Sequence, residues 1–185
     1  MKSLFRFALL VLLIGHATYA SDNHVFVSKE HEFSVQYPKS WTPGEVVHAQ
    51  TTIRVESPDG DDFNITVVED AALRDMTPKE YVGGMMGQVD NLVTNILSRN
   101  YPDATLIEKG KTQLSQQPAL YYVMDYTLSA AGRNIPMRSY AISTKHGSKQ
   151  YTLTFRTPKQ FYLGYLPTIQ RLALGFQFTK TRIDE

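Results

Sequence analysis

The chain has 185 residues, 42% of them apolar, which suits a single domain able to bury a real core. With 19 basic and 18 acidic residues and no stripe of Lys and Arg, it lacks the clustered cations that phosphate binding needs, which argues against a nucleic-acid partner. Cysteine is absent, which removes a thiol nucleophile, a thiolate metal site, a redox pair and a lipid-modified N-terminal cysteine.

Residues 1–20 read as a signal peptide. Lys2 and Arg6 make a basic start, Phe7 to Ile14 is an unbroken apolar run, and Gly15 breaks it before Thr18-Tyr19-Ala20. The run is shorter than the roughly 20 residues of a spanning helix. Cleavage is expected after Ala20, leaving residues 21–185 as one domain, free in the periplasm or secreted. Asn64-Ile65-Thr66 is a glycosylation acceptor pattern that matters only in a eukaryotic secretory pathway.

Phe26-Val27 begins a first strand. Phe33, Val35 and Tyr37 then alternate with Ser34 and Gln36 until Pro38 stops a second. Ile53 to Glu56 and Phe63 to Val68 form a hairpin around Ser57-Pro58-Asp59-Gly60-Asp61. Thr77-Pro78-Lys79-Glu80 predicts a helix start: Thr77 caps, Pro78 fits the first turn and Glu80 closes a capping box. The apolar stripe after it runs from Val82 through Val89 to Ile96 and Leu97, and Asn100 and Pro102 end it. Gly83, Gly84 and Gly87 inside this helix are read as room for close packing on a sheet. Four more strands are expected: Thr105–Leu114, Ala119–Leu128, Arg133–Thr144 and Gln150–Arg156. Their short links favour antiparallel neighbours. Lys145, His146 and Lys149 read as a solvated turn around Gly147-Ser148. A last helix is expected over Pro158–Leu174, broken or begun near Pro167, before Gly175-Phe176-Gln177-Phe178. The order predicts an α+β fold, an antiparallel β-sheet flanked by helices.

Three segments carry a family resemblance. Phe33-Ser34-Val35-Gln36-Tyr37-Pro38-Lys39-Ser40-Trp41 resembles the early strand and Tyr-Pro-x-x-Trp corner of the Mog1/PsbP-like group, with Ser40 where members often have Gly. Ala119-Leu120-Tyr121-Tyr122-Val123-Met124-Asp125-Tyr126 is similar to the family strand that follows a polar turn. Lys149 to Phe155, followed by a helix and Gly175-Phe176-Gln177-Phe178, is similar to the closing elements. The resemblance spans residues 24–178. It implies an α/β/α sandwich and a non-catalytic role, binding and stabilising a partner protein in the cell envelope or outside the cell. No cofactor is expected.

Motifs for chemistry are sparse. There is no Gly-x-Ser-x-Gly elbow and no His-Glu-x-x-His pair. Ser148 and His146 read as turn residues rather than nucleophile and base. Weak metal candidates are His31, between Glu30 and Glu32, and Asp59, Asp61 and Asp62, which could offer oxygens to a hard cation. Trp41 is a weak candidate for partner binding, set against a role plugging the end of the sheet. Met85 and Met86 read as core. Two alternatives stay open: a small hydrolase or metal-dependent enzyme with a dispersed site, and a small-ligand carrier using a cavity between sheet and helix.

Overall fold

A computed structural model describes residues 23–46, 48–130 and 132–179. The leader read as a signal peptide, with its cleavage point after Ala20, lies outside the described residues. The strands are β1 (Asn23–Ser28), β2 (Phe33–Pro38), β3 (Thr42–Pro43), β4 (Thr51–Glu56), β5 (Asp62–Glu69), β6 (Thr105–Leu114), β7 (Gln117–Ala130), β8 (Arg133–His146), β9 (Lys149–Pro158) and β10 (Gln177–Phe178). The α-helices are α1 (Pro78–Asn91) and α2 (Tyr162–Gly175). Seven strands form one antiparallel sheet in the order β3-β4-β5-β9-β8-β7-β6, and three form a small sheet in the order β1-β2-β10. This is the α+β architecture expected.

Alternation along each strand divides the residues between the two faces of the large sheet. Tyr151, Leu153 and Phe155 of β9 join Phe63, Ile65, Ile53 and Val55 in a core closed by α2 and by Phe33, Val35 and Phe176. Leu120, Tyr122, Met124, Ala141 and Met137 point the other way, into a core closed by Tyr81, Val82, Val89 and Val93 of α1 and the turn that follows. α1 lies over β6, β7 and β8, whereas α2 packs on β2 and β9. Each helix therefore covers part of its face, and the coverings are offset.

α1 begins as its sequence predicts. Glu80 N donates to Thr77 Oγ1 at 3.2 Å and Thr77 N donates to Glu80 Oε2 at 2.8 Å. Thr77 Oγ1 also donates to Glu80 Oε2 at 2.7 Å, and the two Thr77 donors, backbone first, hold the Glu80 carboxyl below its ordinary range. The loop before α1 is tied down by Lys145, whose ammonium donates to Leu73 O at 2.5 Å and to Met76 O. Lys145 is 3% exposed, so the solvated-turn reading fails for it. Its alternation on β8 turns it inward, and carbonyls some seventy residues earlier satisfy its charge.

Three further expectations need correction. A Cβ on Gly83, Gly84 or Gly87 would meet nothing within 4 Å, so these glycines face open space rather than a tight sheet contact. α1 continues into one wide π-type turn, Leu92–Ile96, and a tight turn, Leu97–Arg99. The wide turn shifts the phase of the apolar stripe, leaving Ile96 exposed while Leu97 stays on the sheet side. α2 starts at Tyr162 after a tight turn over Lys159–Phe161, and it runs through Pro167 without a break. Leu163 and Pro167 both lie on its exposed side, so the carbonyl that Pro167 cannot pair is turned to water.

Candidate functional site

The offset helices leave two parts of the large sheet without a helical cover, one on each face. The first is a cleft of about 290 Å³ beside the end of α1. Its floor is Asn64 and Thr66 of β5, Thr154 and Arg156 of β9, and Ser139 and Ala141 of β8. Leu97, Asn100 and Tyr101 wall it on the α1 side, and His48, Thr51 and Arg54 wall it opposite. Asp62 sits at its end, buried, between two guanidiniums. Arg54 Nε donates to Asp62 Oδ2, and Arg156 Nε donates to Asp62 Oδ1 at 2.7 Å. Arg54 also pairs with Glu56 at 2.7 Å. The Arg156 guanidinium reaches Tyr126, whose ring lies 4.3 Å from that of Tyr101. Burial pushes the Tyr126 phenol well above its ordinary range, so it stays a neutral donor.

The charged groups at the end of the cleft are already engaged with one another. Both oxygens of Asp62 already accept charge-assisted hydrogen bonds, which leaves the carboxylate neither a free base nor a free nucleophile. Arg54 is spent on Asp62, Glu56 and the Glu45 carbonyl.

The second open area lies on the α2 face, over β6, β7 and β8. Tyr121 and Tyr140 stack there, 5.5 Å apart and inclined by 12°. The Tyr121 ring rests on Gly110 so closely that a Cβ at that position would stand 2.6 Å from it. Tyr121 OH donates to Glu108 Oε1 at 2.5 Å, and the carboxylate acceptor raises the phenol pKa to about 12. Arg138 closes one end of this platform. It grips Asp125 with two hydrogen bonds of 2.6 and 2.8 Å and lies 5.1 Å above the Tyr162 ring. Lys159 adds a third contact to Asp125 at 2.8 Å. Arg138 first, and Lys159 with it, hold the Asp125 carboxyl below its ordinary range.

The residues singled out from the sequence do not come together. Asp59 is exposed on the β4–β5 hairpin and accepts from Tyr165 OH at 3.0 Å. Asp61 is buried beneath it and accepts from Ser57 Oγ at 2.8 Å. Asp62 turns to the opposite face and is engaged with the arginines. His31 lies at the far end of the small sheet, where Tyr151 OH donates to its carbonyl at 2.8 Å. Among the described residues no three His, Asp or Glu side chains converge as a metal site. Trp41 is 5% exposed, with its ring 6.2 Å from Phe155. Met85 and Met86 are half-buried against the α1 core.

Sequence reasoning missed Arg54, Arg156, Tyr101, Tyr126 and the Tyr121–Tyr140 pair. A signal existed for the cleft. Strands β4, β5 and β9 sit inside the sheet, yet each alternates apolar residues with Arg, Asn or Thr. A central strand with one polar face marks a stretch of sheet that nothing covers.

The family model for PsbP matches residues 21–178. The chain belongs to the PsbP family. Among solved structures, the PsbP-family chain is similar to cyanobacterial PsbP (CyanoP) from Synechocystis sp. PCC 6803, at 16% identity over 89% of this chain and 96% of that one, with a TM-score of 0.56. It is similar to LpqN, described as involved in cell envelope biogenesis of Mycobacterium tuberculosis, at 10% identity over 88% of each chain and a TM-score of 0.54. It is also similar to the Saccharomyces cerevisiae Ran-binding protein Mog1p, at 7% identity over 86% of this chain and 97% of that one, with a TM-score of 0.53. At such identities these structures establish the Mog1/PsbP-like fold and nothing finer. No curated protein matches the sequence significantly.

Proposed function

We propose that this PsbP-family chain is exported, released by cleavage after Ala20, and works in the cell envelope by binding a partner protein without catalysing a reaction. The observation that carries the reading is the Tyr121–Tyr140 platform. Two stacked, half-buried tyrosines, an adjacent arginine and a glutamate rim form the composition that dominates protein-binding hot spots. The description of Mog1p as a Ran-binding protein supports binding as a use of this fold, and that of LpqN as involved in cell envelope biogenesis supports a place in the envelope. The cleft favours a second reading, a carrier of a small polar ligand, because its volume approaches that of small-molecule pockets and hydroxyl and amide groups line it.

The test is cross-linking and affinity recovery from the envelope, using the chain expressed in full, with mass spectrometry of its N-terminus. The proposal expects a mature chain starting at Ser21. It expects a partner held by wild type and by Thr154→Ala in the cleft, and lost in the Tyr121→Ala/Tyr140→Ala double variant. Equal recovery by the double variant would overturn the platform reading. Turnover of an ester or phosphate substrate that disappears with Thr154→Ala would overturn the non-catalytic one.

A further inference from the structure

A sheet edge offers a row of unpaired backbone N–H and C=O groups, and folded proteins blunt such edges with charge, proline, bulges or brevity. Among the described residues the two sheets have four edges, and three are blunted. β3 is two residues long and includes Pro43. β10 is two residues long. β6 carries Glu108, Lys109 and Lys111, and its register shifts between Leu106 and Glu108. β1 has none of these protections. Its residues, Asn23-His24-Val25-Phe26-Val27-Ser28, include no charge, proline or glycine, and they pair with β2 in unbroken register. Val25 and Val27 project away from the core, 60% and 53% exposed.

We propose that β1 is a self-association edge, at which two copies of this chain pair their β1 strands antiparallel about a two-fold axis. The strand chemistry selects a second copy because the edge is self-complementary. It carries no charge, so pairing it with itself sets no like charges opposite one another. Alternation then fixes the register. Opposed residues of an antiparallel ladder share a face, as Phe26 and Val35 do between β1 and β2. A two-fold axis normal to the sheet keeps both inner faces on one side only when it passes through a residue. Centring it on Phe26 sets Val25 opposite Val27 of the second copy, and the reverse, which gathers four valines on the outer face. Centring it on Val25 would set Val27 opposite Asn23 and split that cluster. The Phe26 register joins the two small sheets into one and adds about four to six backbone hydrogen bonds.

The contact is small. Six residues a side is far fewer than the roughly 20–30 of a stable interface, so the dissociation constant is expected on the order of 0.1 mM. The proposal is independent of partner binding at the platform, which lies on the other sheet.

The chain's lack of cysteine makes the test direct. Val25→Cys and Val27→Cys chains, carrying different tags, each contribute one thiol, and opposed strand positions lie close enough to cross-link. Mixed at about 0.1 mM under mild oxidation, they are expected to give mainly the disulfide joining the two different chains. Sedimentation of wild type should show average mass rising with concentration, and Val27→Lys should abolish the rise without altering the circular dichroism spectrum. Homotypic cross-links as abundant as the mixed one, a wild type that stays monomeric to about 1 mM, or association that survives Val27→Lys would each overturn the proposal.

Discussion

The cleft and the tyrosine platform are two answers to the same problem. Each is a stretch of one sheet that its helix fails to cover, and each combines tyrosines with arginine and carboxylate side chains. They differ in depth. In the cleft the carboxylate of Asp62 is sunk between strands and held by two arginines of the floor and wall. On the platform Asp125 is paired with Arg138 and with Lys159, which is half exposed. The cleft is concave because the turn after α1 and the segment around His48 rise on either side of it. The platform is flat because Gly110 lets a tyrosine ring lie on the sheet. The lesson is that similar residues make a container or a docking face according to what stands beside them.

The comparison can be broken at its carboxylates. Asp62→Ala leaves Arg54 and Arg156 without their shared acceptor in a largely buried place, and should cost about 2–4 kcal/mol. Asp125→Ala should cost less, about 1–2 kcal/mol, because the carboxylate is less deeply buried than Asp62 and one of its two cations, Lys159, is half exposed. Urea unfolding of both variants measures the difference, and equal losses would erase the distinction in depth.

Acid tests the ion pairing of the platform carboxylate. The folded state depresses the Asp125 carboxyl, through Arg138 first and then Lys159. Its stabilisation is therefore complete above the unfolded carboxyl value, about 4, and fades as pH falls through the lower folded value. The stability gap between wild type and Asp125→Asn should be full at neutral pH and shrink below about pH 4. A gap that grew on acidification would contradict the ion-pair assignment.

Gly110→Ala tests flatness. The new methyl must displace the Tyr121 ring, which should open the stack on Tyr140 at a cost of about 1–2 kcal/mol. Partner recovery should fall while the cleft keeps its shape, as tyrosine fluorescence and binding assays can check together. The smallest effect is spectroscopic. Glu108→Gln replaces the anionic acceptor that holds Tyr121 near 12 with a neutral one, so ultraviolet titration should show one tyrosine ionising closer to its ordinary value.

Much of this fold was legible where the signal is local. The capping box at Thr77 and Glu80 needs four residues, and the Asp59-Gly60 turn needs two, with Gly60 at a φ of +84°. The long β6–β9 meander follows from alternation and short links. What local pattern cannot carry is who stands beside whom. β9 inserts next to β5, pairing Asp62 with Arg156 across ninety-four positions, and that register builds the cleft. The sequence groups Asp62 with Asp59 and Asp61 as cation-ligand candidates, yet alternation sends Asp61 and Asp62 to opposite faces. Lys145 was read from the polar turn beside it, although its environment is set by the Leu73–Met76 loop.

That lysine tether also has a consequence in time. It joins residues 72 and 69 positions apart, so this anchor of the loop that launches α1 is made only once β8 has been made and has entered the sheet. A local helix start thus waits on a distant strand. Folding limited by such non-local contacts is slow compared with helix formation itself. An α1 unseated for that interval would show its apolar stripe to whatever surrounds the growing or newly delivered chain, which makes Lys145 a determinant of how long the chain needs shelter before it is finished.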